Sequence, residues 1–586
     1  MDEASRWVLA NIPNARNLTQ AELSRYAKNA PLCGWLVPFE HNDIRFNLQV
    51  LIPKDFPWDR PRVYCPEHFW FKQFPHIEKD GAFCLYPPGA EHDPINSKGL
   101  IWDAIKEATR LIDASFDPSF LDDFTDEFES YWRKSEGGKT VVSLLSPGGP
   151  SRTISLWRST EDYYLADDDG ALRGWLRNYS PGKKSDYEFQ TAAHLVLKRP
   201  PLPAEYPKSG AAVMRLVKDL APESLNLLVN AAEHADGNFT VSFEGRTEDG
   251  PVLFAVEVML PTQQGMPAGR RPDMLQKGFR PGKVPPHIRV QRQLGGNSVE
   301  HHDVMRADAS WIHGRDTPGV AALFNKRVLM IGAGSLGSEV AQLLAKTGVG
   351  SITLVDPELL DYPNVGRHVL GVAEVRTAKS KSLAERLGKS YPHMRSIGHF
   401  AERWQAVHEK LPDVFHGVDL IVSSVGSWLV EGRLNQVART DAKFPPVLYG
   451  WAEPFSVAGH AVLIGSEGPC LSCGMDQFGG AFQTVCDWAA VTTRKQPHCG
   501  ASFQPYGPIS LASVAALVAK TAVKTLLGEV VPGTEAVCWA SHAEIMENGG
   551  IFSASFLEGF PVVPEFGGSH VVQWKQKNGC SFCGAP

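Results

Sequence analysis

The stretch RVLMIGAGSLGSEVAQLLAKTGVGSITLVDPELLD, residues 327–361, constrains the fold of this chain more than any other. An apolar run ends in Gly332, Gly334 and Gly337, spaced as G-x-G-x-x-G, and a helical pattern follows directly. Glycines at this spacing let the backbone turn tightly and approach a phosphate, while the N-terminus of the following helix favours negative charge. A second apolar run ends at Asp356, 19 residues beyond Gly337, where a carboxylate can accept from a ribose hydroxyl. The pattern predicts a strand–loop–helix–strand unit of a Rossmann-like α/β fold that takes a nucleotide. It does not separate NAD from ATP.

At 586 residues the chain exceeds one hydrophobic core, and its length suggests about three or four domains. From residue 311 to 586, short apolar runs (RVLMIG, SITLVD, DLIVSSV, AVLIG) separated by helical patterns predict one α/β domain. Residues 1–140 predict a small α+β domain. Its segment RFNLQVLIP alternates Phe46, Leu48 and Val50 with Asn47 and Gln49, and in LIWDAIKEATRLIDASF Ile101, Ile105, Ala108 and Ile112 recur at helical spacing. A helix is also expected at AELSRYAKNA, and a strand at CGWLVPFE. Residues 141–310 predict a β-containing linking module, from FTVSFEG and PVLFAVEVML, whose role is unassigned; RRPDMLQKGFRPGKVPPHIRVQRQLGGNS reads as a solvated basic connector. A net charge of −7 gives no basis for a nucleic-acid or membrane partner. MDEASRWVLANIP has no secretory pattern, and Lys520 and Lys524 interrupt the apolar stretch 508–528, which fits a buried or half-buried helix better than a membrane span. Ten cysteines without a signal read as cytoplasmic thiols.

Four of those cysteines form two C-x-x-C knuckles, Cys470 and Cys473 in GPCLSCGMD and Cys580 and Cys583 in NGCSFCGAP. Two such knuckles can supply four thiolates at the corners of a tetrahedron, which suits a closed structural zinc. A thioredoxin-type redox pair needs only one knuckle and leaves the duplication unexplained. Cys33, Cys65 and Cys538 lie among apolar or aromatic neighbours and read as packing residues.

After Asp356 come Asn364 and Arg367 in YPNVGRH and Lys379 in VRTAKSKSLAERL. That order resembles the ThiF-type adenylation domain of the ubiquitin-activating superfamily, over roughly 311–586. The resemblance implies ATP contacts for Gly332, Gly334, Gly337, Asp356, Asn364, Arg367 and Lys379, and Mg2+ as a companion. It departs at DLIVSSVGSW, where the family's Mg2+-organising aspartate gives way near Gly426; Asp419 opens that strand, at the wrong end for ligand binding. Zinc at paired knuckles is also implied, as is an acceptor cysteine in a crossover segment before a Gly-Pro and a long helix. Cys499, beside His498 and ahead of Gly507-Pro508, fits that description, and Cys486 in QTVCDWAA stays open. Arg306 or Arg315 could add to an ATP site.

In the first domain, FPWDRPRVYC, FPHIEKDGAFCLYPPG and LIWDAIKEATRLI resemble a ubiquitin-conjugating domain, with Cys84 at the catalytic cysteine and Trp102 on the following helix. His76 stands where that family has the asparagine of His-Pro-Asn; it could donate to an oxyanion, act as a base, or be structural. The order conjugating domain, linking module, activating domain resembles the bacterial fused enzymes of type II CBASS anti-phage systems. This implies an enzyme that adenylates the C-terminus of a partner protein, a cGAS-like nucleotidyltransferase, passes it to Cys499 and then to Cys84 as thioesters, and delivers it to an amine. A homodimer through the adenylation domain is implied as well. Two other readings stay open: a sulfur-carrier adenylyltransferase whose N-terminal domain only docks a partner, and a non-catalytic nucleotide-binding scaffold or dinucleotide-dependent oxidoreductase.

Overall fold

The computed structural model describes residues 2–584 except 27–30, 67–70, 88, 133–137, 180–186, 236, 261–276, 281–282, 315–318 and 496–501. It forms two units, Met1–Leu172 with Ser185–Arg306, and Arg173–Lys184 with Ala307–Pro586. The expected conjugating domain and, apart from residues 173–184 and 307–310, the expected linking module fall in one unit.

The first unit opens with an antiparallel sheet in the order Arg16–Asn17, Cys33–His41, Ile44–Ile52, Arg62–Tyr64. Along Ile44–Ile52, Phe46, Leu48, Val50 and Ile52 share one face, as the period of two in a strand requires, and pack with Ile101, Ala104, Ile105, Ala108 and Ile112. Those five residues are one stripe of the helix Ser97–Ala114, which the Asn96 side chain caps by accepting from the Gly99 N–H. The helix Gln20–Ser24 covers the start of AELSRYAKNA and carries a Thr19–Glu22 capping box, while residues 27–30 of that stretch lie outside the described residues.

The linking module is a closed barrel in the strand order Gly250–Val258, Val299–Arg306, Thr140–Ser143, Asp162–Ala166, Arg152–Arg158, Gln190–Val196, Phe239–Thr247. Phe239, Val241 and Phe243 share a core with the helices Gly210–Leu220 and Leu225–Glu233. The alternate residues Thr240, Ser242 and Glu244 face the other way, into a buried polar layer where Arg158 Nη2 meets Glu257 Oε1 at 2.8 Å. Burial there lowers the His302 pKa to about 4, so this ring is neutral.

Two features tie the barrel to the conjugating-like part. Phe128 and Trp132 join the barrel's outer core, and the Trp132 indole N–H donates to the His302 carbonyl at 3.0 Å. The segment 123–132 is thereby anchored to the barrel. The basic connector departs from its expected solvated form: within it, Pro286–Leu294 is a helix whose Val290 and Leu294, one turn apart, are fully buried. Basic residues on the remaining faces of that helix concealed a two-residue apolar stripe.

The second unit holds a sheet ordered Ser396–Phe400, Ser351–Val355, Arg327–Ile331, Leu420–Ser423, Val447–Ala452, Ala458–Ile464, Thr534–Trp539, Gly568–Gln573. The first five strands are parallel, and the last three pair antiparallel. Chain order reverses beside Arg327–Ile331, which makes a topological switch point at the carboxyl ends of that strand and Leu420–Ser423. The 19-residue helix Pro508–Leu526 is long and apolar enough to cross a bilayer, but Val514, Ala515, Val518 and Ala522 are buried among the core residues of this sheet. Leu294→Ala should destabilise the first unit by about 2–5 kcal/mol, read as an earlier urea transition. An unchanged transition would return Pro286–Leu294 to solvent.

Candidate functional site

The loop after Arg327–Ile331 is built by its glycines. Gly332 adopts φ +92°, and a Cβ at Gly337 would stand 2.1 Å from the Gly332 carbonyl oxygen. A Cβ on Gly334, in contrast, would meet nothing within 4 Å, so open space faces the loop where a phosphate could approach. The helix Ser335–Lys346 begins at once. Asp356 ends the neighbouring strand and is buried; its Oδ2 accepts from the Ala333 N–H at 2.7 Å and its Oδ1 from the Glu358 N–H at 2.8 Å. A carboxylate offers about four acceptor directions, so Asp356 keeps capacity for a ribose hydroxyl.

Other expected nucleotide contacts gather on the same edge. Lys379 is buried with its ammonium 2.6 Å from Glu358 Oε2. Arg367 stacks its guanidinium 4.7 Å from the Tyr506 ring, next to the Gly507-Pro508 helix start. Asn364 turns its side-chain carbonyl inward to the Asp361 N–H at 3.0 Å. Asp419 lies at the amino end of its strand, accepting from the Arg327 N–H at 2.7 Å. Arg306 donates to the Pro251 carbonyl at 3.2 Å, and Arg315 lies outside the described residues.

Sequence reasoning missed three residues of this crevice. Glu358 holds Lys379. His368 is buried and bridges the glycine loop, its Nε2 2.6 Å from the Ala333 carbonyl and its Nδ1 accepting from the Leu370 N–H. Burial lowers its pKa, which favours this neutral tautomer. Glu431 is buried behind the turn at Gly426 and accepts from the Ser423 hydroxyl at 2.8 Å and from the backbone at Val425 and Gly426; burial raises its pKa to about 7. Neither Glu431 nor Asp419 is placed to hold Mg2+ in the crevice.

In the first unit, Cys84 follows directly on Phe83, whose N–H bonds the Val63 carbonyl at 2.9 Å. The Asp-Gly turn before it is closed by Asp80 Oδ1 accepting from the Ala82 N–H, with Gly81 at φ +85°. Cys84 is half-buried and lines a cleft of about 330 Å³ together with Trp58, Arg60, Glu78 and Tyr86. Burial, then Glu127 and Glu78, push its thiol pKa up. His76 holds the strand end: its carbonyl accepts from the Cys84 N–H at 2.8 Å. Its ring reaches Glu127 Oε1 through Nδ1 and Asp123 Oδ2 through Nε2, each at 3.1 Å. Glu127 above all raises the His76 pKa, and both ring nitrogens are committed as donors. This pattern suits an imidazolium, which has no lone pair to act as a base. The Tyr131 hydroxyl accepts from the His76 N–H and completes the arrangement.

The four knuckle sulfurs come together as a cluster, with Cys470–Cys473 at 3.8 Å, Cys470–Cys580 at 3.7 Å and Cys473–Cys583 at 3.6 Å. Sulfurs on a tetrahedral zinc at about 2.3 Å stand about 3.8 Å apart, so the donor set fits that ion. Burial and the neighbouring thiols raise the Cys470 pKa to about 12. Such crowding suits four thiolates only around a cation. Trp574 closes the site, donating to the Cys470 carbonyl at 3.0 Å.

Of the two acceptor candidates, Cys499 and its neighbour His498 lie outside the described residues. Cys486 is buried at the start of the strand Cys486–Trp488, its N–H donating to Glu453 at 3.0 Å, and burial then Glu453 push its thiol far up. A thiol so placed is poorly disposed to attack.

The ThiF family matches residues 312–545, and prokaryotic E2 family B matches residues 4–141. The ATP-dependent ubiquitin transferase-like protein Cap2 of Escherichia coli (strain TW11681) is 23% identical over 544 residues, spanning 85% of this chain and 87% of that one. The adenylyltransferase and sulfurtransferase UBA4 of Yarrowia lipolytica is 33% identical over 156 residues, 26% of this chain and 38% of its own. Among solved structures, MccB of E. coli aligns with a TM-score of 0.32 at 19% identity, covering 46% of this chain and 67% of that one. Because Glu127 raises the Cys84 pKa, Glu127→Gln should speed iodoacetamide alkylation of Cys84 at pH 8 by about two- to tenfold. Mass spectrometry of the Cys84 peptide reads this, and an equal or slower rate would remove Glu127 from control of the thiol.

Proposed function

Because this chain is a fused E2/E1-like enzyme of the Cap2 type, an ATP-dependent transferase that joins a prokaryotic E2-like domain to a ThiF-family domain, we propose that it conjugates a partner protein through its C-terminal carboxylate. One observation carries the reading: a single polypeptide holds an open, glycine-built crevice at a switch point and a half-exposed thiol at a cleft. In the crevice a carboxylate oxygen of the partner attacks the α-phosphate of ATP, and the bond to pyrophosphate breaks. Asp356 holds the ribose. Lys379, released from Glu358, and Arg367 balance charge developing on the phosphates.

A cysteine thiolate then attacks the acyl carbon and AMP leaves, giving a thioester. Cys499 is the acceptor in this reading, since Cys486 is buried and its thiol is held protonated. Transfer to the Cys84 sulfur expels the first thiolate. Finally an amine attacks the Cys84 thioester, an amide bond forms, and the Cys84 thiolate leaves with the amine's proton passing to solvent or a nearby carboxylate. The raised Cys84 pKa leaves less of the thiol ionised near neutral pH, and Glu127, whose charge reaches Cys84, is the carboxylate to take a proton from an incoming amine. His76, pinned as a donor, orients this end of the strand rather than acting as the base. Zinc on Cys470, Cys473, Cys580 and Cys583 is structural: four thiolates leave no open position. The resemblance to type II CBASS enzymes supports anti-phage defence as the setting and a cGAS-like nucleotidyltransferase as the partner.

With the suspected partner and ATP, a thioester adduct cleaved by reductant should form, and Cys84→Ala should abolish amide product while sparing an adduct on Cys499. Full conjugation by Cys84→Ala would favour a sulfur-carrier adenylyltransferase with a docking domain. Lys379→Ala should slow partner-dependent ATP–pyrophosphate exchange by about 10²–10³-fold. A chain ending at Gly579 should lose its zinc by elemental analysis and unfold its second unit earlier; unchanged zinc content would refute the four-thiolate site.

A further inference from the structure

A second group of metal-type ligands stands on the opposite edge of the same sheet. His408 belongs to the helix Trp404–Lys410, His416 ends the helix Asp413–His416, and Asp441 caps the C-terminus of Trp428–Thr440. One ligand atom from each lies within 4.8 Å of the other two. His416 Nε2 is 2.7 Å from Asp441 Oδ2, while Asp441 Oδ1 is fixed by the Lys443 N–H at 3.0 Å. His408 Nε2 is buried and has no hydrogen-bond partner among the described residues. Burying a ring nitrogen unpaired is costly, and its neighbours give it no relief: Phe415 and Phe444 pack on the His408 ring at centroid distances of 5.0 and 5.7 Å. The side chains of His416 and Asp441 keep 21% and 27% of their surface exposed, so the group opens to solvent on one side.

From this geometry we propose that His408, His416 and Asp441 form a second metal site, one that takes a divalent transition ion with two imidazoles, one carboxylate and a solvent-filled position. Two imidazoles and a carboxylate suit zinc, cobalt or nickel, and three protein ligands leave the fourth position to water. Ligands about 2.0–2.1 Å from a tetrahedral ion stand about 3.4 Å apart. Binding would require side-chain rotations that open the His416–Asp441 pair and draw His408 inward to that spacing, with Phe415 and Phe444 against one side of the His408 ring. His416 precedes the strand Leu420–Ser423 and Asp441 precedes Val447–Ala452, so the ion ties together the two segments that enter these strands. The nucleotide crevice is at the carboxyl ends of the sheet. An ion at the amino ends therefore steadies the fold and takes no part in adenylation.

The test is a zinc titration of the full-length protein with its four-thiolate site already occupied, followed by calorimetry and elemental analysis after gel filtration. One further equivalent should bind, and His416→Gln and Asp441→Asn should each weaken it at least tenfold with the metal-free thermal midpoint and the zinc on the cysteines unchanged. His408→Gln should do the same without disturbing the His416–Asp441 bond. Absence of a further equivalent, or the same affinity in all three variants, would overturn the site. If a variant lowers the metal-free midpoint, cobalt added to the wild-type chain decides. A cobalt spectrum with d–d bands beyond those of the thiolate site, and without added thiolate charge transfer, supports the site; no added bands overturn it.

Discussion

The buried carboxylate of Asp356 holds two backbone N–H groups at once, one from the glycine loop at Ala333 and one from its own strand end at Glu358. Buried acceptors of this kind are expensive to leave unmatched, so the bonds hold the loop after Arg327–Ile331 against the neighbouring strand. His368 reaches the same loop from the far side through the Ala333 carbonyl. With Ala333 held at both its N–H and its carbonyl, the open space above Gly334 has rigid walls. Glu358 in turn detains Lys379, so the cation that would meet phosphate is stored at the rim of the crevice.

The conjugating-like site depends on a different kind of support. Its acids, Asp123 and Glu127, do not come from the sheet that presents Cys84; they come from the segment 123–132, which Phe128 and Trp132 anchor in the outer core of the barrel. The barrel thereby sets where the two carboxylates stand relative to the His76 ring. Of the two acids that pin His76, Glu127 also adds to the rise that burial gives the Cys84 pKa.

Around the zinc-type cluster and the crossover segment, buried charge is arranged with equal care. His460 is buried between Glu453 and Glu535; burial alone would lower its pKa, but the two carboxylates outweigh it and raise it to about 9. Glu453 also accepts from the Val485 and Cys486 N–H groups, so this ion triplet fastens the start of the crossover segment to the sheet. That fastening keeps Cys486 buried, whereas the segment leading to Tyr506 approaches Arg367 on the crevice side.

Local spacing determined much by itself: the glycine loop and its acid, the paired knuckles, the Asp-Gly turn before Cys84, and the helical stripe of Ile101, Ile105, Ala108 and Ile112. Each is a pattern of residue type and spacing that can be read along the chain before any tertiary contact is known. The helix Pro286–Leu294 escaped notice because two apolar residues among basic ones make too narrow a stripe to see without the core they enter. Glu358, His368, Glu431, Asp123 and Glu127 were likewise invisible, since an ordinary carboxylate or imidazole becomes a site residue only through burial and its partners. His76 shows the division most plainly. Its place before Cys84 was legible in the chain, but the two carboxylates that hold its ring nitrogens stand some fifty residues away and are brought to it by the packing of Phe128 and Trp132.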